Sequence, residues 1–109
     1  AITATTVRVP VINGHSEAVY VECARPTSRA EILAALHTAP ELSIEDEPDR
    51  YATPRFLANP DAVAVGRIRM NPDDARGVWM WLVADNLRTG AALNALQIAE
   101  LAMNLSHPS

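Results

Sequence analysis

The chain has 109 residues, 49% of them hydrophobic and 20% charged, the composition of one soluble globular domain rather than a disordered chain. The net charge is −4, all nine basic residues are arginine, and Cys23 is the single cysteine, so nucleic acid, anionic membranes, an internal disulfide and a cysteine-rich zinc site are all disfavoured. No apolar run reaches the roughly 20 residues of a membrane span and no signal-peptide pattern opens the chain, so the expectation is a cytoplasmic domain, too short to hold both a dinucleotide-binding and a substrate domain.

In residues 6–11, Val7, Val9 and Val11 alternate with Thr6, Arg8 and Pro10, which predicts a half-buried strand at an edge or strand end. Asn13-Gly14 is a turn pair that tolerates positive φ, and beyond it Val19, Val21 and Cys23 alternate with Ala18, Tyr20 and Glu22 in a second strand. His15, Ser16 and Glu17 follow the turn directly, at a strand mouth. Arg25-Pro26-Thr27 breaks the strand, and Ser28 with Glu31 reads as a capping box opening a helix through Ile32, Leu33, Leu36 and His37, which Pro40 ends. Residues 41–54 are acidic and proline-punctuated, a short strand at 42–44 followed by a surface loop.

A hairpin is predicted from residues 62–70 and 77–84, turning at Asn71-Pro72-Asp73-Asp74. Trp79 and Trp81 share one face of its second strand and Met80 and Leu82 the other, so that strand is expected to be covered on both sides. Residues 90–104 form an alanine-rich helix whose polar residues Asn94, Gln97, Glu100 and Asn104 make one narrow stripe. Such a helix needs cover on most sides, and a second domain or subunit is expected against it. The tail from Leu105 is expected to fray.

For chemistry, Arg8 offers a planar fork suited to a carboxylate, and His15 a proton acceptor near neutral pH at the mouth of the following turn. The plainer alternative is a surface arginine and a turn histidine. His15, Ser16 and Glu17 do not read as a local triad, because neighbours on a strand face opposite ways. His37, late in a helix, complements its dipole, and His107 lies in the tail. The acidic run from Glu45 lacks the ligand spacing and central glycine of a calcium loop and reads as a solvated face. Cys23 alternates toward the core as an inert thiol. Asn86, where a strand gives way to a helix, reads equally as a cap or a ligand contact.

Thr6-Val7-Arg8-Val9-Pro10-Val11-Ile12-Asn13-Gly14-His15-Ser16-Glu17 closely resembles the strand-turn-strand opening the second half of the catalytic domain of aspartate-semialdehyde dehydrogenases. Ala64-Val65-Gly66-Arg67-Ile68-Arg69 and the block from Leu82-Val83-Ala84-Asp85-Asn86-Leu87-Arg88-Thr89-Gly90 to Glu100 resemble the closing strands and final helix of the same family. The resemblance implies an α+β fold, a mixed and largely antiparallel sheet with helices on one face, like the C-terminal domain of glyceraldehyde-3-phosphate dehydrogenase. Residues 1–86 would be a C-terminal dimerisation and substrate domain. Residues 87–109 would be a helix returning to an N-terminal nucleotide-binding domain of the same protein, and the whole a homodimer.

The resemblance also implies NADP-dependent reductive dephosphorylation of β-aspartyl phosphate through an acyl-thioester, in the branch leading to lysine, methionine and threonine. It makes Arg8 the residue that holds the substrate α-carboxylate, His15 the acid/base catalyst and Asn86 a contact to the nicotinamide end of NADP. Phosphate is the second small-molecule partner. The family's catalytic cysteine and glycine-rich loop lie upstream of the matching residues, Cys23 does not match that nucleophile, and the fragment alone is expected to be inactive. The alternative is a stand-alone, non-catalytic dimerisation or partner-binding module.

Overall fold

In the computed structural model, residues 1–45, 47 and 49–106 are described. The elements run β1 (His15–Glu22), α1 (Arg29–Leu36), β2 (Leu42–Glu45), β3 (Val63–Met70), β4 (Gly77–Ala84), a π-helical turn at Arg88–Ala92 and α2 (Leu93–Ser106). The strands form one sheet in the order β1-β4-β3-β2. Both β1 and β3 pair antiparallel with β4, and β2 pairs parallel with β3, giving the mixed, largely antiparallel sheet expected. The predicted hairpin forms at its predicted turn: the Asn71 side-chain oxygen accepts from the Asp73 N–H at 3.1 Å, and the Asn71 N–H donates to the Gly77 carbonyl at 2.8 Å.

Alternation along the strands divides the apolar residues between two faces. Val65, Ile68 and Val78 are buried on one, beneath Ile32, Leu33 and Leu36 of α1. Ala64 and Val83 are buried on the other, with Ala52 from the connection between β2 and β3 and with Trp81, whose indole N–H donates to the Ala52 carbonyl at 2.9 Å. Ile68 shares a face with Val65, three residues away, because β3 carries a bulge: Gly66 stands opposite Trp81 but Arg69 opposite Trp79. Arg67 takes up the extra residue at φ 50, with its guanidinium 4.9 Å from the centre of the Tyr51 ring. Beside the bulge, a Cβ on Gly66 would stand 2.7 Å from the Glu45 carbonyl oxygen, so β2 approaches this closely because the position is glycine.

The capping box of α1 is formed. The Ser28 hydroxyl accepts from the Glu31 N–H at 3.2 Å, while Glu31 accepts from the Ser28 N–H at 2.9 Å, which with Arg25 beyond it holds the Glu31 carboxyl below its usual range. The helix directs Ile32, Leu33 and Leu36 onto the sheet because they recur at spacings of one, three and four.

Three expectations are corrected. Residues 6–11 form no strand: Val7 is 79% exposed, no ladder partner stands beside them among the described residues, and the Val11 N–H turns back to the Val9 carbonyl at 2.9 Å. Alternation marks a segment able to form a strand, but a strand needs a neighbour, and Pro10 has no N–H to offer one. Trp79 is not covered. Trp81 lies under the Ala52 segment, whereas Trp79, stacked on Tyr20 with ring centroids 4.7 Å apart, remains 43% exposed.

The last helix begins earlier than residue 90, as the π-helical turn, because the Asp85 carboxylate accepts from the Leu87 N–H at 2.9 Å and starts the winding there. It continues through Leu105 and Ser106 instead of fraying at Leu105, since nothing in its composition breaks it. Residues 107–109, with His107, lie outside the described residues, as do Asp46 and Pro48 of the acidic loop. Leu96, Ile98, Leu101 and Met103 of α2 are exposed, so the cover its narrow polar stripe calls for is not supplied among the described residues. No described helix is long and apolar enough to cross a membrane.

Candidate active site

His15 opens β1 and pairs with Ala84 at the end of β4, which brings Asn13-Gly14, just before β1, beside Asp85-Asn86, just after β4. One side-chain bond joins these polar pairs: the Gly14 N–H donates to the Asn86 side-chain oxygen at 2.9 Å. The neighbouring Asn13 side chain and the Leu87 N–H, which donates to the carboxylate at 2.9 Å, hold the Asp85 carboxyl below the usual range of an aspartate.

Gly14 adopts φ +101, where L side chains are strained, and a Cβ there would meet Pro54 Cβ at 3.1 Å and the Ala84 carbonyl at 3.4 Å. The turn that delivers His15 therefore rests on a glycine with backbone and ring packed against it. The segment beyond Asn86 is itself anchored: Arg88 pairs with Asp61 at 2.6 Å, and the Thr89 hydroxyl donates to the Pro60 carbonyl at 2.9 Å.

Around this corner lies a cleft of about 160 Å³, lined by Asn13, Gly14, Pro54, Arg55, Ala84 and Asp85 among others. Pockets that enclose a small molecule run to roughly 300–1,000 Å³, so the cleft is large enough to hold part of a ligand only. Its walls carry one cation, Arg55, and one anion, Asp85.

Of the residues singled out in the sequence, His15 and Asn86 come together at this corner. His15 is exposed, and its neighbour Ser16 lies on the opposite face of β1, as strand geometry requires. Asn86 is half-buried, its oxygen committed to Gly14 and its side-chain N–H groups without a partner among the described residues. Arg8 is exposed in the segment that forms no strand, with no ion-pair partner among the described residues. Cys23 is half-buried against the Val65, Ile68 and Val78 cluster, at the far end of β1 from His15. Among the described residues no cluster of His, Cys, Asp or Glu is arranged to hold a metal ion.

The sequence reading missed Asn13, Gly14 and Asp85 as parts of the site. The signal was present as two short polar pairs, Asn13-Gly14 and Asp85-Asn86, each at the end of a predicted strand. Only the antiparallel register of β1 on β4 shows that they meet.

Residues 1–89 match the family described as semialdehyde dehydrogenase, dimerisation domain. An aspartate-semialdehyde dehydrogenase of Shewanella violacea is 41% identical over 101 residues, covering 92% of this chain and 30% of that protein. The enzyme of the same name from Legionella pneumophila is 44% identical over 103 residues, with the same coverage. The crystal structure of aspartate semialdehyde dehydrogenase II from Vibrio cholerae complexed with ASA superposes with a TM-score of 0.81 at 40% identity, covering 89% of this chain and 29% of that one. A probable aspartate-semialdehyde dehydrogenase from Pseudomonas aeruginosa gives 0.78 at 36% identity. The chain thus spans about 30% of the length of the curated relatives it matches. With the family's match running through the Asn13-Gly14 turn, all four strands and the Asp85-Asn86 corner, the chain belongs to the semialdehyde dehydrogenase dimerisation-domain family.

Proposed function

We propose that the chain is the C-terminal part of an NADP-dependent aspartate-semialdehyde dehydrogenase of the cytoplasm, acting as a homodimer on aspartate semialdehyde and phosphate, or in reverse on β-aspartyl phosphate. Residues 1–86 serve as the dimerisation and substrate domain, and residues 87–109 carry the helix that returns to the nucleotide-binding domain. The observation that carries this reading is the Gly14–Asn86 hydrogen bond at 2.9 Å. It ties, at one corner, the residue that the family resemblance marks as cofactor contact to the turn residue directly before the one it marks as acid/base catalyst, in a chain 41% and 44% identical to enzymes of that name.

In this reading His15 moves protons between the substrate oxygen and a cysteine thiol supplied from outside these residues, since Cys23 lies half-buried against the core at the far end of β1. Arg8 receives the substrate carboxylate, for which its planar fork offers two parallel N–H donors. Asn86 fits the carboxamide end of a nicotinamide, because its oxygen is already engaged by Gly14 and its side-chain N–H groups have no partner among the described residues. The four glycines stand singly, so the phosphates of the nucleotide are held by another domain. NADP, when bound, accepts or supplies the hydride. The partial cleft of about 160 Å³ suits a site completed by that second domain.

The test is an absorbance assay on the full-length protein that carries this chain. NADP reduction should require both aspartate semialdehyde and phosphate, and Arg8→Lys should raise the Michaelis constant for the semialdehyde at least tenfold with little change in kcat. Absence of phosphate-dependent reduction would refute the assignment, and an unaltered Michaelis constant would remove Arg8 from the substrate site.

A further inference from the structure

We propose that Asp61 is a positioning residue for Asn86, acting through its ion pair with Arg88. The inference rests on the reading of Asn86 as a cofactor contact and goes beyond it by assigning the group that holds that contact in place.

Asn86 stands outside every strand and helix. The register of β3 on β4 closes at Ala64↔Val83, β4 ends at Ala84, and the π-helical turn begins only at Arg88. The Asn86 side-chain oxygen takes the Gly14 N–H, but Gly14 is itself a turn residue just before β1, so that bond ties one loop to another. The backbone around Asn86 is stiffened from within. The Asp85 carbonyl accepts from the Arg88 N–H at 3.2 Å and the Thr89 N–H at 2.9 Å, and the Asp85 carboxylate accepts from the Leu87 N–H at 2.9 Å. These bonds are all local: they give the turn a shape but leave it free to swing about the end of β4.

The restraint on that swing comes from the start of β3. Because β3 and β4 run antiparallel, the chain entering β3 passes beside the chain leaving β4, and there side-chain bonds take over from the ladder. Arg88 Nε donates to Asp61 Oδ1 at 2.6 Å, and the Thr89 hydroxyl donates to the Pro60 carbonyl at 2.9 Å. Charge on both partners makes the first the stronger of the two. Asp61 is held in its turn, since its N–H donates to the Asn59 side-chain oxygen at 3.0 Å and the next residue, Ala62, is buried immediately before β3. The ion pair therefore clamps the turn next to the side chain that the turn must present. The clamped turn is a wide one, with the Ala92 N–H reaching back to the Leu87 carbonyl, an uncommon form of helix that recurs at functional sites.

The pair acts on position more than on stability. Both side chains are about half exposed, and an ion pair so placed adds little to the stability of the whole fold. Its loss releases the turn locally, on a scale of about fivefold in an equilibrium.

The experiment measures NADP binding by titration calorimetry on the full-length protein that carries this chain. Asp61→Ala should weaken binding about fivefold, with the melting temperature within about 4 °C of wild type and the Michaelis constant for aspartate semialdehyde within about twofold. Arg88→Asp sets like charges against Asp61 and Asp85 and should weaken binding by about tenfold or more. The double variant Asp61→Arg/Arg88→Asp re-forms the pair in the opposite sense and should return the dissociation constant to within about threefold of wild type.

Hydrogen exchange of the peptide covering residues 84–92, read by mass spectrometry without NADP, gives a measure independent of the cofactor. It should speed up by about tenfold in Arg88→Asp and return toward wild type in the double variant. Wild-type NADP binding in Asp61→Ala would overturn the proposal. So would a double variant as weak as Arg88→Asp, which would make Arg88 itself the ligand contact. A wild-type protein that binds no NADP, with exchange in the predicted order, would refute the cofactor reading of Asn86 and leave Asp61 as the residue that holds the turn; exchange unmoved by Arg88→Asp would overturn the clamp itself.

Discussion

Replacing Gly66 by alanine tests whether the close approach of β2 to β3 is as tight as the structure has it. The new methyl group would stand 2.7 Å from the Glu45 carbonyl oxygen, where ordinary contact begins near 3.4 Å, so the two strands must separate by the difference, 0.7 Å. The obstacle is backbone on backbone and cannot rotate away. A backbone hydrogen bond of about 2.9 Å stretched by that amount passes 3.5 Å and is effectively lost. The parallel pairing runs over only Leu42↔Val63 to Glu45↔Gly66, so its end next to Gly66 carries one or two such bonds. At about 0.5–1.5 kcal/mol net for each, the loss is about 0.5–3 kcal/mol. For a domain of this size that lowers the melting temperature by roughly 4–8 °C per kcal/mol, or about 10 °C in all. Circular dichroism melts of wild type and Gly66→Ala read it directly. A melting temperature within 2 °C of wild type would show that β2 does not lie where the structure puts it.

Trp81→Phe keeps the ring over Ala52 but deletes the 2.9 Å bond to its carbonyl, and should cost about 1–2 kcal/mol by urea unfolding, with protease nicking appearing first in residues 50–57. Ser28→Ala removes one half of the capping box and should cost about 1 kcal/mol by the same measure; no change would mean that α1 contributes little to the fold. Acid should destabilise the protein in a defined direction. Glu31, Asp74 and Asp85 are all held below their ordinary carboxyl values, by the Ser28 backbone N–H, the Arg76 guanidinium and the neighbouring Asn13 side chain respectively. Folding therefore favours their ionised forms, and the stability they add is complete above about pH 5 and lost as pH falls through 4 and below. A melting temperature that holds or rises between pH 5 and pH 3 would contradict these assignments.

Most of the sheet is legible in the sequence because its signals are local. Ser28 and Glu31 mark the start of α1, Asn71-Pro72-Asp73-Asp74 marks the hairpin turn, and the apolar residues on both sides of β4 mark its place inside the sheet. Residues 6–11 show where local signals stop. Their alternation is as regular as that of β1, but a strand exists only where a second strand supplies donors and acceptors, and Val7, Val9 and Val11 have none beside them among the described residues. Trp79 makes the same point for packing, since its sequence looks like that of Trp81 and only the path of the Ala52 segment leaves it exposed. The bulge at Arg67 has only a weak signal in sequence, the isolated Gly66 beside it inside a strand pattern.

The candidate site divides in the same way. His15 could be named from its place after a turn, and Arg8 and Asn86 gained roles from family resemblance. Asn13 and Asp85 are 72 residues apart and meet through the register of two strands, which no local pattern encodes. Asn86 was open between cap and ligand contact. The structure gives its oxygen to Gly14, while the adjacent Asp85 does the capping of Leu87.

The most direct test of His15 as the acid/base group is the turnover of the full-length protein with His15→Ala, measured as phosphate-dependent NADP reduction by aspartate semialdehyde. A fall in kcat of about 100- to 10,000-fold, with binding of the semialdehyde retained, is the predicted result. A kcat equal to that of wild type would contradict it.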